Sequence, residues 1–415
     1  MPSTPQDLHP GQEKELSITR MAHGGEGIAL LDGRVVFVRG AYPGDVLKAE
    51  ITRVKKNFAR AEIREVIQDS EMRVPQRCPA TAAGAGCCDF GDLDPTREAQ
   101  LKKEILADQV GRLARGIHRP PIEVIDLTPK DGWRTRVRLR VAGSGLAGFR
   151  APKSTDIITG YSCAQISDEV CGDILAPDGR RFEPGTEIII ALDSQGQRHI
   201  VESRKAPRGR RVEKVERVVE GSGVARQQVM AKTFDVPATA FWQAHMNAAG
   251  CYSGLLYTWL LEEVEDLAIR GPHPVAWDLY GGVGLFVPVL GEVLGRDTSI
   301  HSVELSPSAR CPQPGLADYQ VTFHNTRVEK AVSTLQKPDV VVLDPPRTGA
   351  GKDVVNKVAA SRPQLVIHIG CDPATFARDM KTWAENGYRM RRMTMVNAFP
   401  GTHHFEILSL FDREN

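Results

Sequence analysis

Hydrophobic positions along this 415-residue chain fall into three successive patterns, and each predicts a different architecture. Over residues 8–66, short apolar runs alternate with glycine-marked turns. Within them "LLDGRVVFV" reads as a β-hairpin, because Asp32-Gly33 accepts the left-handed turn that a two-residue loop requires. Several such strands at close spacing predict a small β-barrel. Its "ITRVKKNFAR" sets Arg53, Lys55, Lys56 and Arg60 around Phe58. That grouping fits a solvated edge strand and a nucleic-acid face equally well.

Residues 75–230 mix the signals. "PTREAQLKKEILADQVGRL", 95–113, predicts a helix. "GWRTRVRLRV", 132–141, alternates strictly, so Arg134, Arg136, Arg138 and Arg140 share one strand face. Trp133, Thr135, Val137, Leu139 and Val141 share the other. Four like charges on one face repel each other unless an anion meets them, which favours contact with RNA. The cations of "RKAPRGRR", 204–211, read as a solvated loop.

From residue 231 onward, helical segments alternate with buried strands. "HPVAWDLYGG", "SIHSVELS", "PDVVVLDPP" and "PQLVIHIG" are apolar runs without polar alternation, the mark of parallel strands covered on both faces. "GYRMRRMTMVNAF" and "HHFEILSLF" follow with no room for a helix between them. The expected fold class is α/β: a Rossmann-like, mostly parallel sheet with an antiparallel terminal pair. The expected division is a barrel over 1–70, a mixed α+β unit over 71–230 and the α/β unit over 231–415.

Composition narrows the function. No apolar run approaches the ~20 residues that span a bilayer, and the polar N-terminus lacks a signal-peptide core. A cytoplasmic location is expected, where the eight cysteines act as core residues, metal ligands or nucleophiles. The net charge of +1 means that any polyanion must be held by local basic patches.

In an open α/β sheet, ligands bind beyond the carboxyl ends of the strands. There stands "DLYGGVG", whose glycines allow close approach of backbone to ligand, and Glu304, able to accept hydrogen bonds from ribose hydroxyls. Together they point to a nucleoside cofactor without choosing between a dinucleotide and S-adenosylmethionine. "DPPRTG" follows, a rigid loop with two fewer backbone donors. Cys371 ends "VIHIG" just before a helix, a place where a thiol pKa can fall. Glu406 interrupts an apolar strand, which predicts a raised pKa suited to proton transfer.

Five segments in order, "FWQAH", "DLYGGVG", "DPPRTG", "GCDPATFARD" and "FPGTHHFE", resemble the RNA (uracil-5-)-methyltransferase family, and the N-terminal barrel resembles its TRAM RNA-binding domain. The resemblance covers nearly the whole chain. It implies methyl transfer from S-adenosylmethionine to C5 of a uridine in rRNA or tRNA, with no membrane and no obligate protein partner. It implies that Cys371 is the nucleophile and Glu406 the base, and that Gln243, Tyr280, Glu304 and Asp344 contact the cofactor. His403 and His404 are expected to shape the pocket. Two other readings compete: an RNA methyltransferase acting on another base, and an RNA-binding or folding protein with vestigial catalysis. The thiol and the carboxylate argue against both.

Three features depart from the family pattern. Gly281 replaces a common Cys or Ala, a change expected to be harmless. Asn325 stands where an acidic residue is usual, so adenine contact is expected to differ. The resemblance also implies a [4Fe–4S] cluster on four cysteines, of which Cys78, Cys88 and Cys163 are three. The remaining ligand position is filled by an Ala/Gly run, and Cys87 sits beside Cys88. Successive side chains of an extended segment diverge, so the expectation is that no cluster is bound and that packing holds the region together.

Overall fold

The computed structural model describes residues 8–208, 211–266, 273–306 and 313–413. The three patterns become three large sheets, with a two-stranded ribbon before the third. In the first, six strands run in the order Glu13–Ser17, Val46–Val54, Phe58–Gln68, Arg34–Arg39, Glu26–Leu31, Arg20–Met21. Asp32 and Gly33 make the predicted turn with φ of 49° and 79°. Alternation buries Leu16, Val36, Val38, Leu47 and Ile51 against one another.

Strand Arg136–Val141 lies inside the second sheet and buries Val137, Leu139 and Val141, as alternation predicts. Its basic face differs from expectation. Arg138 and Arg140 pair with Glu187 of the neighbouring strand at 3.2 and 2.7 Å. Arg136 donates to the carbonyl of Ala238 at 3.3 Å, and Arg134 precedes the strand and turns inward. Repulsion among the four is therefore relieved within the protein, without RNA. Residues 204–208 also differ from expectation: they belong to strand Arg198–Arg208 rather than a loop, while 209–210 lie outside the described residues.

The third sheet has the order Val321–His324, Ser299–Val303, Val275–Leu279, Val340–Leu343, Leu365–Gly370, Glu406–Arg413, Tyr388–Asn397, Glu123–Asp126. The first five are mutually parallel, and Glu406–Arg413 is antiparallel to both of its neighbours. The chain steps outward from Val275–Leu279 on one side and then restarts at Val340–Leu343 on the other, which makes a switch point between these two strands. The division at residue 230 is not clean in space. Strand Glu123–Asp126, from the middle of the sequence, pairs in parallel with Tyr388–Asn397 as the sheet's last strand. Helix Pro95–Leu113, with the bounds predicted for it, packs on helix Pro373–Glu385. Among the described residues no helix is long and apolar enough to cross a membrane.

Candidate active site

Sheet register gathers the chemistry. Gly370 pairs with Ile407 across antiparallel strands, so the next step sets Cys371 against Glu406. Across the switch point Leu279 is level with both Val303 and Leu343, and the residues just beyond these three strand ends are Tyr280, Glu304 and Asp344. All five, with Gln243, line one cavity of about 780 Å³. That is large enough for a nucleoside cofactor and an extruded base side by side.

Each wall of the cavity has a local cause. Tyr280 sits at φ 60°, a conformation costly for a non-glycine residue, and it turns the chain away from the strand. Gly282 then donates its N–H to Glu304 Oε2 at 3.3 Å, and Ser306 N–H reaches Oε1 at 2.6 Å, which fixes that carboxylate. At Gly281 a Cβ would meet Asp278 Oδ2 at 2.2 Å and Ser302 Oγ at 2.5 Å, so Ala or Cys would require these side chains to shift and glycine is the residue this turn accommodates. Asn325 braces the loop: its Nδ2 lies 2.9–3.1 Å from the carbonyl oxygens of Glu304, Leu305 and Ser306. The Asp-Pro-Pro loop is pinned from below, with Asp379 accepting from Ala350 N–H at 2.8 Å and Thr375 Oγ1 donating to Arg347 O at 3.2 Å.

The electrostatics differ from the simple expectation at Cys371. Its thiol is pushed up to about 12, first by burial and then by the charges of Glu406 and Asp344, with Arg347 opposing. The helix that begins at Pro373 gives little help, because Asp372 caps it and accepts from Ala374 N–H and Thr375 N–H at 3.0 and 2.8 Å. Glu406 is held well above the ordinary carboxylate range by burial and by Asp344, as predicted, and its Oε2 has no hydrogen-bond partner. Burial, with Asp278 and Glu304, raises Asp344 to about 7. Glu304, Glu329, Asp344 and Glu406 thus share the cavity with Arg134, Arg327 and Arg347.

The sequence reading names His404 for the pocket but not Arg347, Phe241 or Tyr252, and it sets Arg134 on an RNA-facing strand rather than at the cavity. Arg134 reaches the cavity, held by Gln165 Oε1 at 3.0 Å, and Arg347 Nη2 lies 3.3 Å from His404 Nε2. Only the position of Arg347 directly after the two prolines could have signalled it. Phe241 stands 73% exposed at the mouth, an aromatic face turned to solvent. The Tyr252 hydroxyl is buried without a partner and feels the charges of Glu406 and Asp344. His404 lines the cavity and is pushed down to about 3 by burial, while His403 is held by Asp89, the residue after the adjacent cysteines.

Those cysteines also depart from expectation. Gly86 and Cys87 form a bend rather than an extended segment. The Thr81 hydroxyl sits 3.3 Å from Cys87 Sγ and accepts from Cys88 N–H at 3.2 Å. Both thiols therefore turn the same way and meet Cys78 and Cys163, with all four sulfurs within 4.8 Å of one another. The donor set is complete, but its spacing does not fit a [4Fe–4S] cubane. There each thiolate caps a different iron, which spreads the sulfurs to roughly 6 Å or more.

A strand-end cavity at the switch point of a doubly wound sheet, beyond a small β-barrel, defines an α/β protein of the class that binds a nucleoside cofactor there. Residues 8–63 match the TRAM domain model, and residues 324–414 match the tRNA (Uracil-5-)-methyltransferase model. An uncharacterized RNA methyltransferase of Corynebacterium glutamicum is 52% identical over 98% of both chains. A 23S rRNA (uracil(1939)-C(5))-methyltransferase of Shewanella halifaxensis is 28% identical over 100% of this chain and 98% of its own. The solved tRNA (uracil-54, C5)-methyltransferase of Pyrococcus abyssi, in complex with S-adenosyl-L-homocysteine, shares the fold. It has a TM-score of 0.68 at 17% identity, covering 95% of this chain and 99% of that one. The chain belongs to the TRAM-domain-containing RNA (uracil-5-)-methyltransferase family and is an S-adenosylmethionine-dependent enzyme acting on RNA.

Proposed function

We propose that the chain methylates C5 of a uridine through a covalent adduct on Cys371, with Glu406 as the base. The observation that carries this reading is the register that sets these two side chains against each other on one cavity wall. Uracil C5 is a poor nucleophile. Cys371, having lost its thiol proton to solvent, adds through Sγ to C6, and the C5=C6 electron pair moves through the ring to the C4 oxygen. C5 of the resulting enolate takes the methyl group, whose bond to the donor sulfur breaks and leaves S-adenosylhomocysteine. Glu406 then removes the C5 proton, C5=C6 re-forms, and the Cys371 thiolate leaves. Gln243, Tyr280, Glu304 and Asp344 hold the methyl donor. Glu304 suits ribose hydroxyls, and Asp344, beside the two reacting side chains, suits the donor's positive end.

Residues 1–70 and 71–230 serve to present RNA, and 231–415 carry the chemistry. Ribosomal RNA is the preferred substrate, a reading supported by similarity over the whole length to the 23S rRNA enzyme; the tRNA (Uracil-5-)-methyltransferase model matches residues 324–414, and the solved transfer-RNA enzyme shares the fold alone. Incubation with 5-fluorouracil-substituted rRNA and S-adenosylmethionine tests the chemistry. An adduct stable to denaturing gels should form with the wild type and not with Cys371→Ala, since fluorine cannot leave as a proton does. Wild-type turnover on ordinary RNA without an adduct on the fluorinated one would refute the covalent route. If adducts form on tRNA and not on rRNA, the substrate assignment is wrong and the chemistry stands.

A further inference from the structure

The four cysteines outside the catalytic cavity carry a specific chemistry. Cys78 Sγ lies 3.6 Å from Cys87 Sγ, and Cys88 Sγ lies 3.6 Å from Cys163 Sγ. The whole set falls within 4.8 Å. A single zinc ion bound by four thiolates at ~2.3 Å makes a tetrahedron whose edge is ~3.8 Å. The observed spacing surrounds that value and falls well short of the separation a cubane imposes. Three of the four residues are almost fully buried. The set comes from three separate places in the chain: the start of helix Pro79–Ala82, the bend at 86–88, and the loop before helix Asp168–Leu175. Cys171, buried in the same core, is not part of it.

A second observation points to a bound cation. Gln165 donates Nε2–H to Cys88 Sγ at 3.3 Å and to Cys87 O at 2.7 Å, and its Oε1 receives the Arg134 guanidinium. Donors aimed at the sulfur and a nearby cation are what thiolate ligands of a metal gather around themselves. Neutral thiols in an apolar core require neither.

We propose that this chain holds one zinc ion, bound by Cys78, Cys87, Cys88 and Cys163, where its family resemblance implies a [4Fe–4S] cluster. With an Ala/Gly run in one ligand position and Cys87 beside Cys88 instead, the sulfurs draw inward onto one ion. With four protein ligands the site is closed and structural, with no open position for substrate. It has a mechanical link to the reaction. Asp89, next to Cys88, holds His403, and Phe90 N–H donates to Gly401 O at 3.0 Å, so the bend that carries two ligands also carries the loop leading to Glu406.

The test is a metal count. Full-length protein is purified anaerobically from cells grown in unsupplemented medium, and zinc, iron and acid-labile sulfide are measured per chain. The expected result is one zinc, no sulfide and no broad visible absorbance. A mercurial that titrates four thiols should release the zinc in step. Cys163→Ser should lose the ion, while Cys171→Ala should keep it. If Cys163→Ser does not accumulate, protein produced in cobalt-enriched, zinc-limited medium replaces it, and the intense thiolate-to-cobalt charge-transfer band is the expected signature. About four irons with matching sulfide would overturn the proposal and restore the cubane. Equally fatal would be metal-free protein, or an unreduced mass showing disulfides among these four residues.

Discussion

Cys371 is flanked by two carboxylates, Glu406 and Asp344, and that neighbourhood decides when the enzyme can act. The reactive forms are a thiolate and a carboxylate, both deprotonated. Burial and like charge raise all three groups: Cys371 to about 12, Asp344 to about 7, and Glu406 well above its ordinary range. A raised pKa moves the deprotonated form to higher pH, so low pH is where activity is lost. At subsaturating methyl donor, kcat/KM should climb steadily from about pH 6 to about pH 9. The donor's positive charge favours the anions around it, so kcat at saturation should have its acid limb at lower pH than kcat/KM. Profiles that are flat over this span, or that coincide, would mean that these groups do not control the rate.

At the scale of elements, a buried ion pair does what no motif announced. Glu98 and Lys102, one turn apart on helix Pro95–Leu113, are both fully buried and 2.6 Å apart. Lys102 also donates to Asn397 Oδ1 at 2.6 Å and to Phe399 O at 3.2 Å, while Glu98 accepts from Gly401 N–H at 2.9 Å. The helix thereby grips the turn between strands Tyr388–Asn397 and Glu406–Arg413, the turn that delivers Glu406. Lys102→Met leaves Glu98 charged and unpaired, and should cost about 3–5 kcal/mol in a denaturant titration. Restoring part of that loss with Glu98→Gln would identify the stranded charge as the cause; a loss under about 1 kcal/mol would show that the pair is replaceable. The sequence predicted this helix to the residue but hid the pair, because an i, i+4 Glu and Lys normally mark an exposed face. Strand ends and their residues were legible for the opposite reason: long apolar runs that stop at Tyr280, Glu304, Asp344 and Cys371 have only one end at which ligands bind. What stayed illegible depended on partners far along the chain. Glu187 neutralises Arg138 and Arg140, burial with the charges of Glu406 and Asp344 raises the Cys371 thiol rather than letting it fall, and Thr81 turns two adjacent cysteines the same way.

The whole molecule joins the barrel to the chemistry. His23 of the barrel lies 3.2 Å from the carboxylate of Asp372, the residue after Cys371, and a Cβ on Gly25 would come within 2.9 Å of His403. A cavity of about 130 Å³ between barrel and sheet reaches Cys371 from that side. RNA held on the barrel is therefore already at the catalytic edge. Arg53, Lys55 and Lys56 are exposed around its hairpin tip, beside Phe58, which packs edge-on against Phe37 at 5.7 Å. Changing Lys55 and Lys56 to Gln should weaken RNA binding and flatten its salt dependence by about one unit of log–log slope per lost phosphate contact. An unchanged slope would place the RNA elsewhere. The central claim, that Cys371 attacks and Glu406 releases, is tested most directly by Glu406→Gln with unmodified rRNA and S-adenosylmethionine. Attack and methyl transfer need no base at C5, so the variant should stall as a covalent complex. Nuclease and protease digestion should then yield a Cys371 peptide carrying a methylated uridine, while turnover falls by about 10²–10⁴. Normal turnover with no modified Cys371 peptide would contradict the account and assign proton removal to another group.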